Sequence, residues 1–493
     1  MDDIQSKKLD DKILYLSRQL LQSKLCELIN DKFSLTHKNY RTYFSTFQKR
    51  YPVVFSTTHA LATTSGDNYL YDYVILDESS QVDLASASIA FSRAKNVVLV
   101  GDLMQLPNVL KSQNKKELAQ IYKKYNLPLY QNFASHSALS SILAQYRGQA
   151  PNTLLNEHYR CDPEIIGFCN KRFYDDRLII QTKRKSGGGV KIIYTEPFHQ
   201  RERRNERQAD IIKEEILPAL AGKEIGMIAP FRDQVELIKS KVNTNVMVDT
   251  VHKFQGREKQ AIILSTVVNK VKIEESMREP DFMNNPNLLN VAISRAKEKL
   301  FLIVSDELIK QEGAILSDFS RYIKYYCESG EIEATNVYSV MDIMYQRYSP
   351  KLEEFRRRMK KSSKFDSENA IETVIADIVK SKKFGLLDYH QNYSLRYVIR
   401  PEGISDYEDR KFVSNVNTHC DFIIFNKLDK KPCLVVEVDG GHHETKIQKA
   451  RAGEKDRLLS SIGIKVVRIK TTSIKPKERI EEALKMAINK LNE

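Results

Sequence analysis

The chain is predicted to be an α/β protein, and three observations predict it. Short runs of Val, Ile and Leu recur along it, each closed by polar or small residues. The runs fall into three sets: VVFSTT, YVILDESS and NVVLVGD; then GVKIIYT, EIGMIAPF, VMVDT, AIILSTVV and KLFLIVSD; then HCDFIIFN, PCLVVEVDGG and IKVVRIK. Around them the apolar residues space as they do in helices. Runs that are apolar throughout suit strands buried on both faces of a parallel sheet. Their polar ends then lie at the carboxyl edge, where α/β folds bind ligands.

Residues 1–48 read as helix, because Ile13, Leu14, Leu16, Leu20, Leu21, Leu25 and Leu28 recur at helical spacing among Lys, Gln and Asp. Residues 49–150 hold the first set of strands and residues 151–310 the second, which implies two α/β units. Residues 311–364 read as a helical linker without strands, ending in the basic stretch FRRRMKKSSK. That stretch reads as a solvated linker face, with phosphate contact as the alternative. Residues 365–493 hold the third set and form a further α/β domain.

At roughly 100–200 residues per domain, 493 residues make three or so domains with cores of their own. Hydrophobic residues at 41% and charged residues at 29% exclude a disordered chain. Lys and Arg total 78 against 64 Asp and Glu, a net charge of +14, which favours polyanionic partners. The six cysteines include no CxxC and no zinc spacing. Free thiols in a reducing compartment are expected, and a cysteine-held iron–sulfur cluster is not. The charged start lacks the apolar core of a signal peptide, and no apolar run approaches the ~20 residues of a membrane span. A cytoplasmic protein without membrane contact is expected.

Asp77 and Glu78 close the run YVILDESSQ. Adjacent carboxylates at a strand's carboxyl end can hold Mg²⁺ and activate water for nucleotide hydrolysis. Asp102 and Gln105, in NVVLVGDLMQLP, follow the next strand and can lie beside them. The second unit supplies Arg160 in HYRCDPEI, Gln255, Gly256 and Glu258 in VHKFQGREKQ, and Arg295 in NVAISRAK. In this order, DESSQ, GDLMQLP, YRCDPEI, TVHKFQGRE and NVAISRAK resemble motifs II to VI of superfamily 1 helicases, within the branch that contains the nonsense-mediated-decay helicase. The resemblance covers residues 50–310. It implies two RecA-like units, with Asp77 and Glu78 as the Walker B pair and Gln105 as the γ-phosphate sensor. It further implies phosphate contact by Arg160 and Arg295, and coupling of nucleotide to nucleic acid by Gln255, Gly256 and Glu258. His252 departs from the acidic residue frequent in that branch. A larger departure is that residues 1–76 contain no GxxxxGK[ST] phosphate cradle, so the first RecA-like unit reads as incomplete. ATP is expected as a cofactor only if an upstream segment or another chain supplies that cradle.

The third set brings acidic residues to strand ends again. Asp421 lies in HCDFIIFN, and Glu437 and Asp439 lie two apart in LVVEVDGG, on one face of a strand. Three carboxylates from neighbouring strands can hold Mg²⁺ or Mn²⁺ and promote phosphodiester hydrolysis. His443 or His442 can serve as acid, base or phosphate ligand, and Lys455 follows on a helix. Residues 365–475 resemble the PD-(D/E)XK, restriction-endonuclease-like fold, and most of all its very-short-patch-repair subgroup. The resemblance implies a metal-dependent nuclease with Asp421, Glu437, Asp439, His443 and Lys455 in its site. Glu368 or Glu372, on one face of the preceding helix, would add a further acid. Asp439 stands where E-x-K has Lys, and Ala452 stands where relatives often have Asp. The expected function is a helicase–nuclease fragment acting on DNA rather than RNA. The alternative is an inactive nucleic-acid-binding or partner-docking subunit.

Overall fold

The computed structural model describes residues 2–29, 35–66, 69–108, 112–147, 149–242, 246–271, 282–328, 330–345, 350–439 and 446–492. It divides into two compact units.

The first comprises Met1–Glu157, Asn170–Ile179 and Asn285–Val291. Its long helix α1 (Asp2–Ile29) carries the predicted Ile13, Leu14, Leu16, Leu20, Leu21 and Leu25, all exposed, but ends short of the predicted residue 48, with turns over residues 37–43. Strands β1 (Tyr71–Leu76) and β2 (Ala94–Leu99) pair in parallel from Tyr71↔Ala94 to Leu76↔Leu99. Between them runs helix α2 (Leu84–Phe91), capped by the Asp83 carboxylate, which accepts the Ser86 amide. Ala87 of α2 packs with Leu76 and Ala138, and its Ala90 packs with Phe44, Leu61 and Tyr71. The opposite face of the pair is open, with Tyr73 65% and Ile75 67% exposed. The predicted strand VVFSTT is not a strand: residues 51–57 are irregular, and Phe55 is 95% exposed. An apolar run becomes a strand only where a neighbour takes its backbone hydrogen bonds, and the sheet of β1 and β2 has two strands.

The second unit comprises His158–Cys169, Ile180–Asn284 and Ala292–Glu493. Strands β3 (Gly189–Thr195), β4 (Ile225–Ile228), β5 (Met247–Asp249), β6 (Lys259–Ser265), β7 (Ala296–Ser305) and β8 (Glu331–Ala334) form one six-stranded parallel sheet, ordered β8-β3-β7-β6-β4-β5. Its central strands bury Ile192, Met227, Ile262, Ile263, Leu302 and Ile303, as two-sided coverage requires. Strand β8 corrects the expectation that residues 311–364 carry no strand. Its Glu331 and Glu333 alternate with apolar residues at the sheet edge, and Lys191 of β3 pairs with both. A short acidic edge strand leaves little apolar signal in a sequence.

The third set forms a four-stranded sheet ordered β9 (Leu387–Ser394), β10 (His419–Asn426), β11 (Pro432–Asp439) and β12 (Lys465–Lys470). The first two pairings are antiparallel and the last is parallel. Strand β9, LDYHQNYS, is too polar to have been read as a strand. Helices covering one face place Ile371, Val374, Ile375 and Leu484 on Phe422, Ile424 and Val436. On the other face Leu458 and Leu459 pack on Ile423 and Val435.

The predicted linker is built into both cores of this unit. Val337 packs with the six-stranded sheet, while Val340 and Ile343 of helix α3 (Val340–Tyr345) pack with the four-stranded one. Between them Asp342 is fully buried, 2.5 Å from Arg207 Nη1 and 3.3 Å from His199 Nε2. It also accepts the Ser339 amide and hydroxyl. Burial alone raises the Asp342 carboxyl, but His199, Arg207 and the Ser339 amide outweigh it and hold the group at about 2. The stability Asp342 contributes is therefore complete above the ordinary carboxylate range and lost as pH falls towards 2. Urea denaturation should show Asp342→Asn losing about 3–5 kcal/mol at pH 7, because Arg207 is left as an unpaired buried cation, and the variant should lack the wild-type decline between pH 4 and 2.

Candidate active site

In the first unit β1 and β2 end side by side. Ser79 donates its amide and hydroxyl to Val100 O, and a Cβ on Gly101 would lie 2.9 Å from Ser79 Oγ. This close approach sets Asp77 and Glu78 on the same carboxyl edge as Asp102 and Gln105, as the sequence anticipated. Glu78 has φ +50°, the left-handed region that non-glycine residues occupy mainly at constrained sites. Asp77 Oδ1 accepts the Glu78 amide, and Glu78 accepts Gln81 Nε2, both at 2.8 Å. Asp102 organises the second loop. It accepts the Met104 amide at 2.8 Å, Gln105 Nε2 at 3.1 Å and the Tyr174 hydroxyl at 2.6 Å. Asn287 donates to Leu103 O and Gln105 O, and Asn290 donates to Met104 O. Tyr174 and Asn287 were missed by sequence reading because neither lies in a motif; Asn290 opens the motif NVAISRAK but was not singled out within it.

In the second unit Arg160 Nε lies 2.8 Å from Glu258, and Lys297 lies 3.4 Å from the same carboxylate. Arg295 is buried, and its carbonyl accepts the Lys259 amide at 3.1 Å, which sets it beside Glu258. Gly256 turns the chain with φ +68°. Gln255 Nε2 is buried without a hydrogen-bond partner among the described residues. Arg160, Gln255, Gly256, Glu258 and Arg295 thus gather at one edge of the six-stranded sheet. Burial lowers the His252 imidazole's pKa, so this ring favours the neutral form.

In the four-stranded sheet Asp421 of β10 and Glu437 of β11 are adjacent. The Asp421 amide donates to Glu437 Oε1 at 3.4 Å, and Asp421 Oδ2 accepts the Val438 amide at 2.7 Å. Lys455 reaches in from helix α4 (Lys446–Ser461), donating to Glu437 Oε2 at 2.7 Å and to His419 O at 2.6 Å. Burial pushes Glu437 up to about 7 against the opposing pull of Lys455, and burial also raises Asp421. Burial raises Glu368 as well, with Asp421 adding to the effect. Glu372 instead meets Ser362 and Tyr389. Of the two helix acids, Glu368 is therefore the one that faces Asp421. His442 and His443 lie outside the described residues.

Asp439 differs from expectation. Arg468, paired with Glu437 across β11 and β12, binds Asp439 at 3.0 Å and Asp456 at 2.9 Å. Among the described residues no three His, Cys, Asp or Glu side chains converge as a metal-binding group. The expected three-carboxylate cluster is thus not gathered: Lys455 and Arg468 take up the charge of Glu437 and Asp439. Arg468 could have been flagged as the cation set between Val467 and Ile469 in the run IKVVRIK. Asp421 and Glu437 offer oxygen donors of the kind Mg²⁺ or Mn²⁺ takes, and Glu368 is not gathered with them into a three-acid group.

Residues 5–113 and 134–307 match two families each described as "AAA domain", and residues 390–488 match "Protein of unknown function (DUF2726)". The part of the chain that matches these AAA families is also similar to curated helicases. It is 25% identical to an uncharacterized ATP-dependent helicase of Methanocaldococcus jannaschii, over 61% of this chain and 46% of that one. It is 27% identical to a DNA replication ATP-dependent helicase/nuclease of Xenopus laevis, over 51% and 26%. It is 26% identical to Helicase SEN1 of Saccharomyces cerevisiae, over 50% and 12%. The chain spans less than half the length of these relatives. A solved C-terminal domain of a possible DNA helicase from Lactobacillus plantarum is similar at 16% identity and TM-score 0.23, over 35% of this chain and 98% of that one. No described helix is long and apolar enough to cross a membrane.

Glu437 is buried and Lys455 half-buried, so removing Lys455 strands the carboxylate. Lys455→Met should cost about 3–5 kcal/mol in urea denaturation, and adding Glu437→Gln to it should recover part of that loss.

Proposed function

We propose that this chain is part of a helicase–nuclease: a superfamily 1 helicase module joined to a metal-dependent nuclease. The observation that carries the nuclease reading is the Asp421–Glu437 pair at adjoining strands, Glu437 buried and Asp421 half-buried, with Lys455 on Glu437. A structural domain has no need of two adjacent carboxylates whose burial works against their ionisation. Asp421 and Glu437 would hold Mg²⁺ or Mn²⁺, which when bound supplies Lewis acidity towards a phosphodiester. Lys455 is placed to stabilise charge on phosphate oxygens and to keep Glu437 ionised. His443 is proposed as acid, base or phosphate ligand. DNA is the proposed polymer, in keeping with the DNA replication helicase/nuclease among the relatives.

In the helicase module Asp77 and Glu78 are proposed to handle Mg²⁺ and water, and Gln105, Arg160 and Arg295 the phosphates. Gln255, Gly256 and Glu258 are proposed to link nucleotide to nucleic acid. Residues 1–76 hold no phosphate cradle. ATP hydrolysis by this module therefore depends on a cradle supplied by an upstream segment or another polypeptide.

A second reading, an inactive nucleic-acid-binding subunit, is favoured by Arg468, which neutralises Asp439. Cleavage assays on single- and double-stranded DNA and RNA separate the two. The first reading expects products only with Mg²⁺ or Mn²⁺, reduced at least about 100-fold by Asp421→Asn or Glu437→Gln, since each removes an ion ligand. Absence of products from the wild type on every polymer gives the second reading.

A further inference from the structure

The basic stretch before the C-terminal sheet remains without a role in this scheme. It begins in helix Pro350–Arg358 and runs through Lys364 to helix Asp366–Lys380. Its structure differs from that of a loose linker. Asn369, 1% exposed, accepts the Ser362 and Ser363 amides at 3.0 and 2.8 Å and donates to Ser363 O at 3.1 Å. The Ser362 hydroxyl bonds Glu372, and the Ser363 hydroxyl accepts the Phe365 amide. The segment is thus stapled to the helix Asp366–Lys380, beside the carboxylate that faces Asp421.

Its cations are treated unequally. Arg358 pairs with Asp377 at 2.7 Å. Arg356, Arg357, Lys360, Lys361 and Lys364 have no side-chain ion pair or hydrogen bond among the described residues. All but Arg356 are exposed, and Phe365, next to Lys364, is 64% exposed. Holding like charges together without counterions costs stability in water. A polyanion recovers that cost, and an exposed ring offers a face to an unpaired base.

We propose that Arg356, Arg357, Lys360, Lys361, Lys364 and Phe365 seat a single-stranded nucleic acid beside the Asp421–Glu437 site, phosphates on the cations and a base on Phe365. The proposal rests on the reading of the C-terminal domain as acting on nucleic acid, and its test uses binding alone. Anisotropy of labelled single-stranded DNA and RNA with the full chain in EDTA gives affinity across a salt series. Lys360→Ala/Lys361→Ala/Lys364→Ala should weaken binding at least tenfold at low salt and lower the log–log salt slope by about 2, from ~0.7 per phosphate contact. Phe365→Ala should weaken binding at least about fivefold with the slope unchanged. Lys411→Ala/Lys430→Ala/Lys431→Ala, equal in charge removed and exposed elsewhere on the same domain, should change neither. Unchanged binding in the first variant, or an equal loss in the last, overturns the seat; so does a loss seen with duplex and not with single strands. A wild type that shows the expected binding differences yet cuts nothing with Mg²⁺ or Mn²⁺ refutes the nuclease and leaves the seat standing. Metal-dependent cutting with unaltered binding does the reverse.

Discussion

Glu437 can sit buried at the end of β11 because Lys455 meets it there. The same arrangement recurs at two other carboxylates of the second unit, where a cation takes the place of water. Asp342 has Arg207 and the Ser339 amide, and Asp439 has Arg468. The consequences differ with location. Asp342 lies between two hydrophobic cores and fastens the four-stranded sheet to the six-stranded one. Glu437 lies at a strand end beside a second carboxylate, Asp421, and there the burial leaves groups whose charge is only partly compensated.

That partial compensation is the chemical content of the site. A fully satisfied ion pair is inert, whereas Asp421 and Glu437 are both raised by burial despite Lys455 and the Val438 amide. A hard divalent cation suits such a pair. Asp439 is the counterexample within the same strand, since Arg468 already satisfies it. The first unit follows a different logic. There the carboxylates Asp77 and Glu78 stay exposed, placed by the meeting of two parallel strand ends rather than by burial.

Much of this was legible in the sequence, for physical reasons. Strands with buried apolar runs, such as AIILS in β6 and LFLIV in β7, announce themselves because both faces are covered. Strands β8 and β9 do not, because edge positions tolerate Glu, His, Asn and Gln. VVFSTT misled because apolar content specifies a strand only together with a hydrogen-bonding neighbour. In the site, Asp421 and Glu437 could be read from their places in apolar runs, and the structure sets them together. Sequence could not decide between Glu368 and Glu372, which share a helix face; a rotation of about one turn's residual angle separates them, and only the packed neighbours Gln391 and Tyr389 distinguish their surroundings. Arg468 was overlooked because its partners lie on another strand and another helix.

The central claim is that Asp421 and Glu437 form one cation site. Titrating Mn²⁺ into the metal-free chain and following the free ion by electron paramagnetic resonance tests it most directly. The account predicts saturable binding that disappears in Asp421→Asn and in Glu437→Gln but persists in Asp77→Asn. Saturable binding that survives both C-terminal substitutions, or none in the wild type, would contradict it.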